Sequence, residues 1–296
     1  MATIKNAVFI SLHFRCLGVT RKIDKGRVDT TADKTLVSVN KKLFQSDTFK
    51  RITRIQSKAR SYLLSRAVET GLRGAVYALP TAFVSEVEDQ LTDYVSQMKG
   101  EVATLCGEWP TLIEVTAREQ LGDLYSENDY PSVAEVAQAF GIEWSYISTD
   151  VPGELADISS GVFQRERDKL EKEFAKATEY TRAIMRRTCL EFVTQFKSQL
   201  QPNGSNGSTR KRPIHSSTLT KLTDFMETFN ARNLSGDVEL SGAVSNMRTL
   251  LRGVSVKDLR DSESFKASIN DQIASTVANI ETLVEECPVR QIIFDD

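Results

Sequence analysis

The spacing of apolar positions changes several times along the chain, and each change marks an element. The run Val8-Phe9-Ile10-Ser11-Leu12-His13-Phe14 is β-branched and aromatic and too short for a helix, so it predicts a strand. Thr35-Leu36-Val37-Ser38-Val39 reads equally as a strand or as the start of a helix leading to Leu43 and Phe44. From Ser46 the step becomes three and four. Phe49, Ile52, Ile55, Ala59, Tyr62, Leu63 and Ala67 then share one face, which predicts a helix of about 23 residues. Ser46 or Asp47 would cap it, and Gly71 and Gly74 would end it. Tyr77-Ala78-Leu79-Pro80 follows as an extended crossover loop.

A second stripe, from Phe83 and Val87 through Leu91, Tyr94, Met98 and Val102 to Leu105, predicts an antiparallel partner helix reaching Cys106 and Gly107. It resumes after Trp109-Pro110 through Leu112, Val115 and Leu121. Pro131 to Val136 opens a short helix closed by Gly141, and residues 142–155 read as loop. The clearest stripe runs from Leu170 through Phe174, Ala177, Ile184, Cys189, Phe192 and Phe196 to Leu200, a helix of about 50 Å at 1.5 Å per residue. Gln201 to Ser208 has linker composition, extended by Arg210-Lys211-Arg212-Pro213. Three further helical stripes follow, starting at Leu219, Leu240 and Phe265, and Val289 to Phe294 after Pro288 reads as a final strand.

The fold class expected is therefore mainly α: long antiparallel helices with a small β element where the N- and C-terminal strands meet. The expected organisation is residues 1–200 as the N-terminal strand plus helical hairpins, 201–215 as a flexible linker or loop, and 216–296 as a C-terminal helical portion ending in a strand. A single elongated helical body with an inserted loop fits the pattern equally.

Charge changes this picture more than composition does. The net charge is only −2. Yet residues 1–66 hold fifteen basic and four acidic side chains, a net of +11, and residues 67–164 hold three and seventeen, a net of −14. The next two blocks, 165–215 and 216–296, carry +6 and −5. Either the basic third packs beside the acidic segment or associates head to tail with it, which is the favoured reading, or it offers a phosphate-binding surface. The candidates for that alternative are Arg15, Arg21, Lys22, Lys25 and Arg27, with Arg210, Lys211 and Arg212 in the linker and Lys50, Arg51, Arg54, Lys58 and Arg60 on the first helix. Little aromatic interleaving accompanies them, so single-strand stacking has no support. Arg182, Arg186 and Arg187 read as a surface ion-pair row with Glu179 and Glu191.

Catalytic patterns are missing from the sequence. There is no GxxxxGK[ST], and the two histidines, His13 and His215, stand outside any HExxH or nucleophile-elbow context. Cys16, Cys106, Cys189 and Cys287 are widely spaced, without a CxxC pair, and read as reduced thiols. No catalytic residue, metal or cofactor is expected. No apolar run approaches the roughly 20 residues of a membrane span, and the N-terminal run lacks a cleavage site, so the expected location is the cytoplasm of a bacterial host cell, with no membrane partner.

Four stretches carry a resemblance: LHFRCLGVTRKID, FKRITRIQSKARSYLLSRAV followed by GAVYALP, the long helix ending CLEFVTQF, and LLRGVSVKDLRDSESFKASI. In this order the chain resembles an uncharacterised family, a domain of unknown function found in phages, prophages and bacterial genomes. That family would place a tryptophan where Cys16-Leu17 stands here. Its members are often encoded near MoxR-type AAA+ ATPases and von Willebrand A-type proteins, which implies an accessory or adaptor role and supplies no catalytic residue. The expectation is a non-enzymatic helical protein that binds a protein partner, such as a MoxR-type AAA+ ATPase, or assembles with itself as a homo-oligomer. The alternative is a nucleic-acid binder using the basic N-terminal segment.

Overall fold

A computed structural model describes residues 6–24, 26, 31, 33, 36–72, 75–148, 150–200 and 215–285. In chain order the strands β1 (Ala7–Arg15), β2 (Thr20–Lys22) and β3 (Asn40–Lys42) lead to helix α1 (Asp47–Arg66). Strands β4 (Val68–Glu69) and β5 (Val76–Pro80) precede a 3-10 turn and helix α2 (Val84–Thr111). A π-helical stretch (Leu112–Ala117), α3 (Arg118–Leu121), α4 (Val133–Gln138) and strand β6 (Gly141–Ile147) follow. The remainder is helical: α5 (Glu154–Ile158), α6 (Ser160–Leu200), α7 (Ser216–Arg232), α8 (Val238–Leu251), α9 (Val256–Asp261) and α10 (Glu263–Glu285).

The protein is mainly helical, with a four-stranded antiparallel sheet in the order β4-β5-β1-β6 and a two-stranded ribbon of β2 and β3. The expected closure of the two chain ends is corrected by this order. β1 lies between β5 and β6, with Phe9 opposite Ala78, and the run from Val289 lies outside the described residues. Tyr77 to Pro80 is thus a strand rather than a crossover loop. β5 has Val76, Ala78, Leu79 and Pro80 buried, and such a short run buried on both faces lacks the alternation that marks a half-buried strand. Residues 142–147, expected as loop, form most of β6, where only Gly141 and Ile142 are buried.

Helices follow the sequence pattern closely. Ser46 Oγ accepts from Phe49 N–H at 3.1 Å, which makes it the N-cap of α1, and α1 ends at Arg66, before the glycines. α2 does not stop at Gly107. It continues through Pro110, and the π-helical turn follows within two residues, which absorbs the hydrogen-bond disturbance a proline introduces. α6 has 41 residues, about 60 Å of helix.

The chain divides into two compact units. Unit one comprises Met1–Ser11, Leu64–Val84 and Tyr146–Asp296, and unit two comprises Leu12–Leu63 and Ser85–Ser145. The segment 201–215 does not separate them, and 201–214 lie outside the described residues. Unit one is a helical bundle. Cys189, Val193 and Phe196 of α6 meet Phe225 and Phe229 of α7, Val244 and Met247 of α8, and Ile273, Val277 and Ile280 of α10. A second cluster sits on the sheet, where Phe174 meets Phe9 edge-on at 5.4 Å beside Val76 and Ala78.

Arg186 corrects the reading of a surface arginine row. Its Nε lies 2.6 Å from Asp237 Oδ2, Nη1 donates to the Leu283 carbonyl at 2.8 Å, and Nη2 donates to Glu239 at 2.8 Å. One buried guanidinium so joins α6 to the start of α8 and the end of α10. Burial pushes the Asp237 carboxyl up, but the Arg186 hydrogen bond, the Leu240 N–H and the charges of Arg186 and Arg182 outweigh it, so the group titrates below its ordinary range. Arg182 alone of the row pairs as expected, with Glu179 at 3.0 Å.

Candidate interaction surfaces of unit two

Unit two is built from the two most oppositely charged parts of the chain. Leu12–Leu63 brings thirteen basic and four acidic side chains, and Ser85–Ser145 brings two and thirteen, so the unit carries −2. The halves engage directly. Arg51 Nε donates to Glu101 at 2.9 Å, Thr48 Oγ1 to Glu108 at 2.9 Å and Tyr62 Oη to Glu86 at 2.7 Å. Pairing 48 with 108 and 62 with 86 makes α1 and α2 antiparallel, as the stripes predicted. Lys41 is held between Asp129, at 2.5 Å, and the Leu124 carbonyl.

The core between them is aromatic: Phe44 meets Phe49 and Trp109 edge-on at 5.5 and 5.0 Å, and Phe49 meets Phe140 at 6.0 Å. Gln56 and Thr48 are polar groups buried on α1; Gln56 reaches furthest along the chain. Its Nε2 donates to the carbonyls of Arg15, at 2.7 Å, and Gly141, at 3.3 Å, so α1 ties down the end of β1 and the start of β6.

A cleft of about 360 Å³ opens beside α2. Met98, Val102, Phe140 and Ile142 give it an apolar lining, and Lys99 and the Arg15–Glu143 pair give it charge. Arg15 is exposed and paired, with Nη1 on the Gln138 carbonyl at 2.7 Å and Nη2 on Glu143 at 2.7 Å. Gly141 makes room for it, since a Cβ there would stand 2.9 Å from the guanidinium. Cys106 also lines the cleft, with its thiol 3.8 Å from the Val133 carbonyl and its pKa pushed up by burial.

The other candidate phosphate contacts are scattered. Arg21 and Lys22 are exposed on β2, where Arg21 Nη1 donates to its neighbour's carbonyl. Register places Lys22 and Lys42 on one face of the ribbon, opposite the face of Arg21 and Lys41. Lys25, Arg27, Arg210, Lys211 and Arg212 lie outside the described residues. Arg60 covers the Phe14 ring at 5.3 Å and Lys50 pairs with Asp47 at 2.8 Å.

What the sequence reading missed is a pair of charge rows on the outer flank of α1 and α2. Arg54 and Lys58 stand four residues apart on α1, and Asp89 and Asp93 stand four apart on α2, all exposed. None of the four has an ion pair among the described residues, although Asp93 accepts from the Gln90 and Gln97 amides. Like charges at this spacing disfavour a helix by about 0.2–0.5 kcal/mol. Between the rows lie Tyr62 and Tyr94, half-buried, with ring centroids 6.3 Å apart. Both tyrosines fit the apolar stripes, so the sequence pattern alone places them on the core face.

Among the described residues no group of three His, Cys, Asp or Glu side chains is placed to hold a metal ion, and no helix is long and apolar enough to cross a membrane. No family model, curated protein or solved structure matches the chain.

Proposed function

We propose that the chain is a non-enzymatic helical protein that works by contacting other proteins, as an accessory to an AAA+ ATPase. The observation that carries this reading is the neutralisation of unit two from within, by Arg15–Glu143, Lys41–Asp129 and Arg51–Glu101. The basic segment spends these charges on the acidic one. What remains exposed carries both signs, including Lys22 and Lys42 on the ribbon, Arg54 and Lys58 on α1 and Asp89 and Asp93 on α2, a surface that suits a protein of mixed charge better than a polyphosphate. The resemblance to a family encoded near MoxR-type ATPases supplies the class of partner. Co-expression with the MoxR-type ATPase of the same genome tests it: nuclease-treated chain should retain the ATPase on an affinity column, with retention changing between ATP and ADP. Loss of the ATPase under both nucleotides would remove that partner.

The second reading is nucleic-acid binding, favoured by Lys22 and Lys42 sharing one face of the exposed ribbon. It requires DNA or RNA affinity that falls steeply with salt, and weakens without unfolding when Arg21, Lys22, Lys25 and Arg27 become Ala. No binding at low ionic strength would end it.

A further inference from the structure

We propose that the outer flank of α1 and α2 is a self-complementary surface through which two copies of this chain pair about a twofold axis. The inference rests on the reading that the chain acts through protein contacts, and it names one such contact.

The geometry follows from the helix pair. Thr48 opposite Glu108 and Tyr62 opposite Glu86 and Tyr94 fix the relative level of the two helices. Asp89 and Asp93 then stand level with the C-terminal part of α1, the middle of their row about 9 Å along the axis from the middle of the Arg54 and Lys58 row. At 100° per residue, Arg54 and Lys58 lie outward of Arg51 and Tyr62, which touch α2, and Asp93 and Asp89 lie outward of Glu101 and Tyr94, which touch α1. Both rows therefore occupy the flank turned away from the core. One end of this flank is positive, the other negative, and Tyr62 and Tyr94 lie within a helical turn of the midpoint, on the acidic side beside Asp93.

A twofold axis through that midpoint lays the positive end of one copy on the negative end of the other, twice, which is the condition for an isologous interface. The tyrosines of both copies then flank the axis within about one helical turn of it, and large rigid amphipathic rings near the centre contribute most to binding. Each like-charge row, unfavourable in the single chain, gains the opposite row it lacks. A nucleic acid laid on the same flank would meet Asp89 and Asp93, so a second copy is the better fit.

Sedimentation velocity of the purified, nuclease-treated full chain tests the proposal. At an ionic strength of about 0.01 M, where charges act over about 30 Å, a dimer should form as concentration rises; at about 1 M, where the reach is about 3 Å, association should weaken at least about tenfold. The Arg54→Glu/Lys58→Glu variant has two acidic rows and should be monomeric, as should the Asp89→Lys/Asp93→Lys variant, which has two basic rows. Mixed in equal amounts, the two should form a heterodimer. A wild-type chain that stays monomeric at low salt, a charge-reversed variant that dimerises as well as wild type, or a mixture that does not associate would overturn the proposal. Monomeric chain that still retains the ATPase would leave the wider function standing, whereas loss of both would remove both.

Discussion

Arg186 shows how much a single residue can decide. Its guanidinium is almost fully buried and meets two carboxylates and a helix-terminal carbonyl, so the cost of burying charge is met by hydrogen bonds. Replacing it with Met leaves Asp237 charged and buried, and the expected loss is about 3–5 kcal/mol, read as a lower urea midpoint. The pH dependence has a definite sign. Asp237 titrates lower folded than unfolded, so its contribution is complete above the ordinary carboxylate value of 3.8 and is lost as pH falls through the folded value. Acid titration of stability should show this loss in the wild type and less of it in Arg186→Met. Cysteine behaves as burial dictates. The Cys189 thiol is fully buried, with its pKa pushed up to about 12, and should resist alkylation in the native protein, whereas Cys16, exposed although partial burial raises its thiol pKa too, should label faster. Labelling of Cys189 at the rate of Cys16 would show that the bundle core opens. The sequence stripe placed Cys189 correctly. It could not place Arg186, because only the distant Asp237 makes an arginine tolerable inside.

At the scale of elements, Gln56 is the joint on which unit two depends. Gln56→Leu would keep the volume but leave the Arg15 and Gly141 carbonyls without their buried donor, and should cost about 1–3 kcal/mol, measurable by denaturant unfolding. A change within experimental error would mean that water replaces the amide. The long helices were legible because their apolar steps of three and four persist over many turns, and the antiparallel pairing of α1 and α2 follows from two such stripes joined by residues 67–83, which return the chain through β4 and β5. The strands were legible only in part. β1 has nine residues and a clear composition, but β4 has two and β2 and β3 three each, too few for any period to register. β6 could have been found, since Ile142, Trp144 and Tyr146 alternate with Glu143 and Ser145. It reads as loop because the alternating stretch is short and the turn residues Ser148, Thr149, Asp150, Pro152 and Gly153 directly after it dominate the segment.

Over the whole molecule, the blocks of charge along the sequence are cancelled by the way the chain is interleaved. Unit two takes the most basic and the most acidic stretches and comes to −2, and the rest of the chain holds 23 basic and 23 acidic side chains. Alternating blocks thus record which segments fold together, and they overstate the field an outside partner would meet. That is why the basic third looked like a nucleic-acid surface in the sequence, and why Arg15, its first candidate, turns out to hold Glu143. Only the arrangement in space separates spent charges from those left exposed, among them the rows on the α1–α2 flank. The most direct test is affinity capture of the tagged chain from its native host, with and without nuclease. Protein contacts as the mode of action predict that a single protein species stays bound through nuclease treatment. Bound material consisting of nucleic acid and released by nuclease would contradict it.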